Sequence, residues 1–417
     1  MDLIKAIKGT YDILPDEVKK WQKLEKIIDD TTNLFSFKEI RTPIFEESNL
    51  FYRGVGENTD IVSKEMYSWK DKDGKDITLR PELTASIVRA YIQHNLFNHN
   101  PLQKLYYVGP SFRRERPQKG RQRQFHQFGV EAIGSSNPEQ DTEVISLAWK
   151  LLKNTGLKNL TLKLSSLGSS DSILLYRDEL KKYLTPLKSE LSEISKIRLE
   201  NNPLRILDTK SPREIALLKK APLIYEYHTK EDKDHFKTIQ SHLKSLSIPF
   251  VIDPLLVRGL DYYTRTTFEI TSSDIGSQNA ILGGGRYDNL IKSLGGKDIP
   301  AIGFAAGIER ILLALGDNFI KNINPNKTVS VVYQNTNFIS YCVPIVNDLR
   351  ANNIKVIFDT LQKSLKSQMR DANKNDASHA IIIGEHEFEN NKVLIKNLKT
   401  SNENLIRKEL IMNYLDN

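Results

Sequence analysis

Between Arg113 and Arg123 the chain places six basic side chains and one acid, Glu115, within eleven residues, broken by Pro117 and Gly120. Gln124-Phe-His-Gln-Phe-Gly-Val-Glu131 follows directly, a strand-like alternation that carries Gln127 and Glu131. Guanidinium groups bind phosphate through two parallel N–H donors, and Arg113 at a strand edge is expected to be held rather than floppy. A positive loop feeding a strand with spaced polar groups suits a polyanion held beside a small polar molecule, which points to chemistry at a phosphate. Standing alone, such a run reads as a solvated charged hairpin.

Four further stretches bear on that reading. In Leu79-Arg-Pro-Glu-Leu-Thr-Ala-Ser86, Glu82 and Thr84 fall after a strand and at a helix start, where a carboxylate and a hydroxyl can receive an ammonium group. Pro81 and Glu82 equally fit a helix cap. In Leu256-Val-Arg-Gly-Leu-Asp-Tyr-Tyr-Thr-Arg-Thr-Thr-Phe-Glu269, a turn presents Arg258 beside a glycine. Tyr262 and Tyr263 then offer hydroxyls that can donate to or accept from a heteroaromatic ring, although a surface turn and a half-buried aromatic strand is the plainer reading. The glycines of Leu282-Gly-Gly-Gly-Arg-Tyr-Asp288 permit close backbone approach to a ligand, without the sequence of a P-loop or a dinucleotide fingerprint. In Ala301-Ile-Gly-Phe-Ala-Ala-Gly-Ile-Glu-Arg310, small residues pass into a helix with Arg310 in its first turn. The macrodipole disfavours a cation there, and a phosphate partner explains one. His126, His235 and His242 lack metal-ligand spacing, and no protein-bound metal is expected.

The elements that must position these groups follow from periodicity. Pro15-Asp-Glu opens a helix carrying Val18, Trp21, Leu24, Ile28 and Phe35. A strand is expected over Phe37–Phe45, with Thr42-Pro43 marking an edge or interface strand. Tyr67–Trp69 and Ile77–Leu79 flank a Gly-containing hairpin loop. Helix Leu83–Asn95, strand Lys104–Pro110, the basic loop, strand Phe125–Ile133 and helix Asp141–Thr155 come next. Lys-, Glu- and Leu-rich helices then read as an inserted subdomain over about 170–247. Strands return at Phe250–Pro254, Thr266–Thr271 and Asn279–Leu282, and a helix over Ile308–Leu315 closes a first domain, 1–320. Asp317–Lys327 is Asn- and Lys-rich, with 321–327 as the linker proper. Beyond it, strands and helices alternate over 328–417 as a small α/β domain. Its helix over about 362–376 aligns Lys363, Lys366, Arg370 and Lys374 in a basic stripe, which suits RNA backbone as well as a solvated face.

Composition bounds the rest. The 417 residues allow two or three domains, and 60 Lys and Arg against 52 Asp and Glu leave +8, compatible with an acidic partner. The single cysteine, Cys342, excludes an internal disulfide and Cys-rich zinc sites, and reads as a small core residue of a helix. No apolar h-region follows Met1–Lys5, and no apolar run approaches the ~18 residues of a membrane span. A cytoplasmic protein is expected.

Taken together, these residues resemble a class II aminoacyl-tRNA synthetase, and specifically the bacterial type of histidyl-tRNA synthetase, over essentially the whole chain. Lys8-Gly-Thr-Tyr-Asp-Ile-Leu-Pro15 looks like the family's opening segment, and the strand ending in Thr42-Pro43 like motif 1, which builds a dimer interface. Phe112–Glu131 resembles motif 2, Gly303–Arg310 resembles motif 3, and Arg-Gly-Leu-Asp-Tyr-Tyr is a histidine-specific signature. The resemblance implies an α+β catalytic domain, an antiparallel sheet flanked by helices with a helical insertion, and a C-terminal α/β anticodon-binding domain. It implies a homodimer that joins L-histidine to tRNA-His through a histidyl-adenylate, using ATP with Mg2+. By the same resemblance, Arg113 binds the α-phosphate, Glu115 the adenine amino group, Arg310 the γ-phosphate, and Arg121 a phosphate or the acceptor stem. Glu82, Thr84, Gln127, Glu131 and Tyr263 form the histidine site with Tyr262 nearby, and Arg258 is the catalytic arginine. The alternative is a non-catalytic paralogue that regulates ATP phosphoribosyltransferase. Such proteins typically lack the tail domain and intact ATP contacts, both of which stand here.

Overall fold

The computed structural model describes residues 3–56, 59–118, 120–275, 280–320 and 327–416. It divides into two compact units, Met1–Lys321 and Asn322–Asn417. Residues 321–326 of the expected linker, and Lys119 of the basic loop, lie outside the described residues.

The first unit's strands are β1 (Lys38–Glu39), β2 (Phe45–Glu47), β3 (Tyr67–Lys70), β4 (Asp76–Leu79), β5 (Gln103–Phe112), β6 (Gln124–Ile133), β7 (Leu160–Ser166), β8 (Phe250–Ile252), β9 (Thr264–Ser272), β10 (Ala280–Arg286) and β11 (Ala301–Gly307). Eight of them form one sheet in the order β1-β5-β6-β11-β10-β9-β7-β8. Its two edge pairs, β1 with β5 and β7 with β8, are parallel, and the pairs between are antiparallel.

Its helices are α1 (Pro15–Leu34), α2 (Ser48–Val55), α3 (Thr84–Gln93), α4 (Pro138–Asn154), α5 (Ser170–Leu184), α6 (Glu193–Asn201), α7 (Pro212–Leu218), α8 (Lys230–Ser245), α9 (Leu290–Ser293) and α10 (Ile308–Leu315). Successive strand residues point to opposite faces, so one face can be apolar and the other functional. Phe128, Val130, Phe268, Ile270, Ile302 and Phe304 face a core completed by Trp21, Leu24 and Ile28 of α1, Leu147 and Leu151 of α4, and Phe236, Ile239 and Leu243 of α8. The alternate residues, among them Gln127, Glu131 and Gly303, belong to the other face. Arg286 and Asp141, both fully buried, pair at 2.6 Å, with His235 at 3.3 Å from the same carboxylate, and so tie β10 to α4 and α8. Each charge is compensated inside the core, and breaking such a pair costs about 3–5 kcal/mol.

The strand expected over Phe37–Phe45 divides in two. β1 joins the main sheet, whereas β2 joins β4 and β3 in a separate three-stranded sheet. Pro43 has no N–H for a ladder, and the buried guanidinium of Arg80 takes the Thr42 carbonyl at 2.8 Å and that of Pro43 at 3.1 Å. β7 was not legible in the sequence. The helical insertion has its own core, including Tyr176, Leu180, Leu184, Leu199, Ile206 and Leu218. The last helix of the expected stretch, α8, turns its apolar stripe to the sheet instead. Asp317–Ile320 is a 3-10 turn whose Phe319 packs on the main core, so the linker composition begins before the unit ends.

In the second unit, β12 (Thr328–Tyr333), β13 (Lys355–Phe358), β14 (His379–Ile383), β15 (Lys392–Asn397) and β16 (Glu403–Arg407) stand in the order β13-β12-β14-β15-β16. Strands β13, β12 and β14 are parallel. Helices α11 (Ile339–Ala351), α12 (Leu365–Lys374), α13 (Glu385–Glu389) and α14 (Ile411–Asp416) accompany them. Cys342 is buried in α11, and burial pushes its thiol up to about 12. Lys363 departs from the expected stripe: it precedes α12 and binds Asp371 at 2.6 Å. Lys366, Arg370 and Lys374, four apart and exposed, remain on one face of α12.

Candidate functional site

On the polar face of the large sheet lies a cavity of about 260 Å³. All eleven site residues expected from the sequence line it: Glu82, Thr84, Arg113, Glu115, Arg121, Gln127, Glu131, Arg258, Tyr262, Tyr263 and Arg310. They come from segments more than two hundred residues apart, brought together because β6, β11, β10 and β9 are neighbours.

One part is acidic and aromatic. Glu131 is 1% exposed; it accepts from Thr84 Oγ1 at 2.9 Å and from the hydroxyl of Tyr287, and stands 3.4 Å from the Tyr107 hydroxyl. Burial pushes its carboxyl up to about 8, against these donors, which hold it down. Gly303 pairs with Glu131 across the sheet, and a Cβ there would lie 1.8 Å from Glu131 Oε2. Gly129 likewise gives way to Tyr107, since a Cβ would sit 2.3 Å from its hydroxyl. Glu82 accepts the backbone N–H groups of Thr84 at 2.7 Å and Ala85 at 2.8 Å. The two readings left open for it are therefore compatible: it caps α3 and lines the cavity. Burial raises its carboxyl too, opposed by those N–H donors. Ser111 Oγ donates to Gln127 Oε1 at 3.1 Å, and the Tyr262 ring lies 4.8 Å from that of Tyr263 and 5.5 Å from that of Tyr287.

The other part gathers four guanidinium groups. Arg113 donates through Nε to the Pro81 carbonyl at 2.8 Å and lies over the Phe125 ring. Arg121 reaches Glu115 at 3.2 Å, with Arg113 3.8 Å from the same carboxylate. Arg310 donates to the Gly120 carbonyl at 3.3 Å and the Ala280 carbonyl at 3.0 Å. Arg258 holds Glu269 at 2.6 Å, and its buried Nε has no partner among the described residues. Burial and then the charges of Arg121 and Arg113 bring Arg310 below its ordinary pKa, against the pull of Glu115. Cations that press on one another at fixed positions form a field that an anionic ligand relieves.

Sequence reading had no role for Tyr287, Tyr107, Glu269 or Gly303. Tyr287 and Glu269 stood inside the motifs quoted, but their partners come from other strands. The glycine run lies in strand β10, where Gly283 lines the cavity and the run also makes close internal approaches. A Cβ at Gly283 would fall 2.1 Å from Arg258 Nη2, and one at Gly285 2.4 Å from the Thr266 carbonyl. The N-terminal segment fastens the basic hairpin, since the Gly9 carbonyl accepts the Arg123 N–H at 2.7 Å. His126 lies 3.0 Å from Glu309 through its ring and edge-on to Trp21. Among the described residues no group of three His, Cys, Asp or Glu side chains is arranged for a metal.

Residues 9–311 match the family model for histidyl-tRNA synthetase, and residues 328–417 the model for the anticodon binding domain. The chain is 47% identical over 403 residues to a histidine--tRNA ligase of Chloroherpeton thalassium, covering 96% of this chain and 94% of the relative. A solved apo histidyl-tRNA synthetase of S. aureus superposes with a TM-score of 0.84 at 39% identity, covering 100% of both chains. A Bacillus halodurans structure described as an ATP phosphoribosyltransferase regulatory subunit/histidyl-tRNA synthetase shares the fold, with a TM-score of 0.67 at 23% identity, covering 92% of this chain and 99% of that one.

Proposed function

The chain belongs to the histidyl-tRNA synthetase family, and on that premise we infer that it is a histidine--tRNA ligase whose two half-reactions take place in the cavity on the large sheet. One observation carries the reading: a buried carboxylate–tyrosine pocket and a cluster of guanidinium groups open into the same cavity. The regulatory alternative is disfavoured by the intact arginine cluster, by the anticodon-type second unit, and by a relative that matches at 47% over nearly the whole chain and is named as a ligase.

In the first step a carboxylate oxygen of histidine attacks the α-phosphorus of ATP. The bond from that phosphorus to the bridging oxygen breaks, pyrophosphate leaves, and histidyl-adenylate remains. Negative charge builds on the phosphate oxygens, and cations already fixed in place stabilise it without reorganising. Arg113 and Arg258 take the α-phosphate, Arg310 the γ-phosphate, Arg121 a phosphate or the acceptor stem, and Glu115 the adenine amino group. ATP enters as its Mg2+ complex, the metal being part of that substrate. In the second step a ribose hydroxyl at the 3′ end of tRNA-His attacks the activated carbonyl, AMP leaves, and the hydroxyl proton is released.

Glu82 and Thr84 receive the histidine ammonium group, while Glu131, Gln127 and Tyr263, with Tyr262 beside them, address the imidazole. A pocket that must be satisfied at both ring nitrogens rejects ligands that leave its polar groups unpaired, by as much as about 10⁴–10⁵-fold. The protein acts in the cytoplasm as a homodimer. Exposed Ile44, Phe45 and Trp69 on and beside the small sheet support an interface there, and Lys366, Arg370 and Lys374 support contact with the tRNA backbone. No helix among the described residues is long and apolar enough to cross a membrane.

The test is histidine-dependent exchange of pyrophosphate into ATP by the purified protein, for the wild type and Arg258→Ala. The variant is expected to lose about 10²–10³-fold in adenylation rate, with histidine affinity nearly unchanged. No exchange by the wild type would end the ligase reading, and normal single-turnover adenylation by the variant would end the role of Arg258.

A further inference from the structure

The helical insertion packs on Leu255, Val257 and Tyr263 and bonds to a loop that lines the cavity. Pro203–Asp208, a 3-10 turn after α6, presents Arg205 to the Arg258-Gly-Leu-Asp261 segment. Arg205 Nε donates to Asp261 Oδ1 at 2.9 Å, and its Nη2 donates to the Gly259 carbonyl at 2.8 Å. The fork of one guanidinium therefore spans Leu260 and grips the loop on both sides of it. Asn202 adds a bond to the same Asp261 oxygen at 2.9 Å. Arg205 is itself held, because Arg198 Nη1 takes its carbonyl at 3.2 Å while Nη2 lies 3.4 Å from Asp60. The side chain of Arg205 is only 11% exposed, whereas Asp261 and Gly259 are exposed, so the grip is made at the surface by an arginine that is itself well packed.

The gripped segment has no strand ladder of its own, and Leu260 and Tyr262 pack on clusters around Phe51 and Tyr287. Residues 259–262 are bends and turns between β8 and β9 rather than strand. Gly259 has nothing within 4 Å of where a Cβ would be, and no unusual φ. No crowding calls for a glycine there, so its effect is added backbone freedom. On the far side, a Cβ at Gly56 would sit 2.9 Å from Asp261 Oδ2, so the carboxylate is lodged between Arg205 and the Gly56 backbone. The head of Arg258 is fixed by Glu269, but its backbone depends on this loop. Asp208, at the end of the same turn, lies within electrostatic reach of Arg258.

We propose that Arg205 of the insertion is a positioning residue for histidine activation, clamping Gly259 and Asp261 so that Arg258 meets the reacting phosphate in register. The proposal rests on the phosphate role of Arg258 given above. A catalytic group displaced by about 1 Å can lose 10²-fold in rate, so the loop's placement matters although Arg205 itself lines no part of the cavity.

The test compares full-length Arg205→Ala, Arg205→Lys, Arg258→Ala and the double variant Arg205→Ala/Arg258→Ala. Pyrophosphate exchange, thermal melting and hydrogen exchange of the peptide spanning 256–263 are measured for each. Arg205→Ala is expected to lose roughly 10–100-fold in kcat with the KM for ATP changed by less than about threefold. Its melting temperature should stay that of the wild type while exchange in 256–263 rises. Lysine, which can meet Asp261 but not fork to Gly259, should recover part of the rate. In the Arg258→Ala background the Arg205 change should cost nothing further, since both act through one group. Unchanged loop exchange overturns the clamp, and losses that multiply in the double variant overturn its route through Arg258. Full activity of Arg258→Ala would remove the role of Arg258 itself, and loop exchange in Arg205→Ala would still decide the clamp.

Discussion

Glu131 is the residue on which the site turns, because its surroundings favour the proton over the charge. Its carboxyl is raised from the ordinary 4.5 to about 8, so between these values the folded protein keeps a proton that the unfolded chain releases. Stability linked to this group is therefore greatest below about 4.5 and declines as pH rises towards 8. Thermal melting at closely spaced pH should fall more steeply between pH 5 and 8 for the wild type than for Glu131→Gln, which carries no titratable group there. Equal slopes would show that the carboxyl ionises normally. An imidazole bound against Glu131 can accept that proton or donate to the ionised form, so histidine should restore more stability at pH 8 than at pH 5. Such a group was visible in sequence only as an acid on the polar face of a strand. Its three hydroxyl neighbours come from Thr84, Tyr107 and Tyr287, which no spacing rule connects.

At the scale of the element, paired strands decide which side chains the cavity admits. Gly303 on β11 faces Glu131 on β6, and a methyl group there would meet both Glu131 Oε2 at 1.8 Å and the Val130 carbonyl at 2.3 Å. Backbone cannot swing aside as a flexible side chain can, so Gly303→Ala must part the strands or expel the carboxylate. A loss of about 1–3 kcal/mol or more is expected, read as a lower melting temperature, together with weaker histidine binding by calorimetry. A variant with wild-type melting and affinity would refute this account of the strand pair. Element types were largely legible, since β5, β6, α3, α4 and the alternating second unit follow periodicity. The exceptions have local causes. The expected strand over Phe37–Phe45 breaks at Pro43, where Arg80 takes the carbonyls. α8 reads like its neighbours in the insertion, yet its apolar stripe faces a different core.

At the scale of the whole molecule, the proposed function assigns activation and tRNA recognition to different stretches of the chain. Every lining residue of the cavity lies between Ile61 and Arg310, and the second unit has a core of its own that includes Val331, Ile345, Ile381 and Ile395. A chain ending at residue 320 is expected to sediment as a dimer at micromolar concentration and to retain histidine-dependent pyrophosphate exchange, but to lose charging of tRNA-His. In the full chain, replacing Lys366, Arg370 and Lys374 together should lower the salt dependence of tRNA binding by about one phosphate contact per cation. A monomer would remove the proposed interface from the first unit, and full charging by the shortened chain would remove the second unit from tRNA recognition.

By itself the sequence determined the family, most of the order of the elements and eleven of the residues that line the cavity, because each of these is written in short motifs or in local periodicity. The opening stretch, Arg113 to Arg123 with the strand behind it, suggested phosphate chemistry only in company with the other four stretches. Only the tertiary structure decided what holds those groups in place. The glycines opposite Glu131 and Arg258, the hydroxyls around Glu131, the Glu269 that anchors Arg258 and the Arg205 that grips its loop are contacts between distant segments. Such contacts depend on which strands become neighbours and in what register, a choice made by burial over the whole core and recorded in no single stretch of chain.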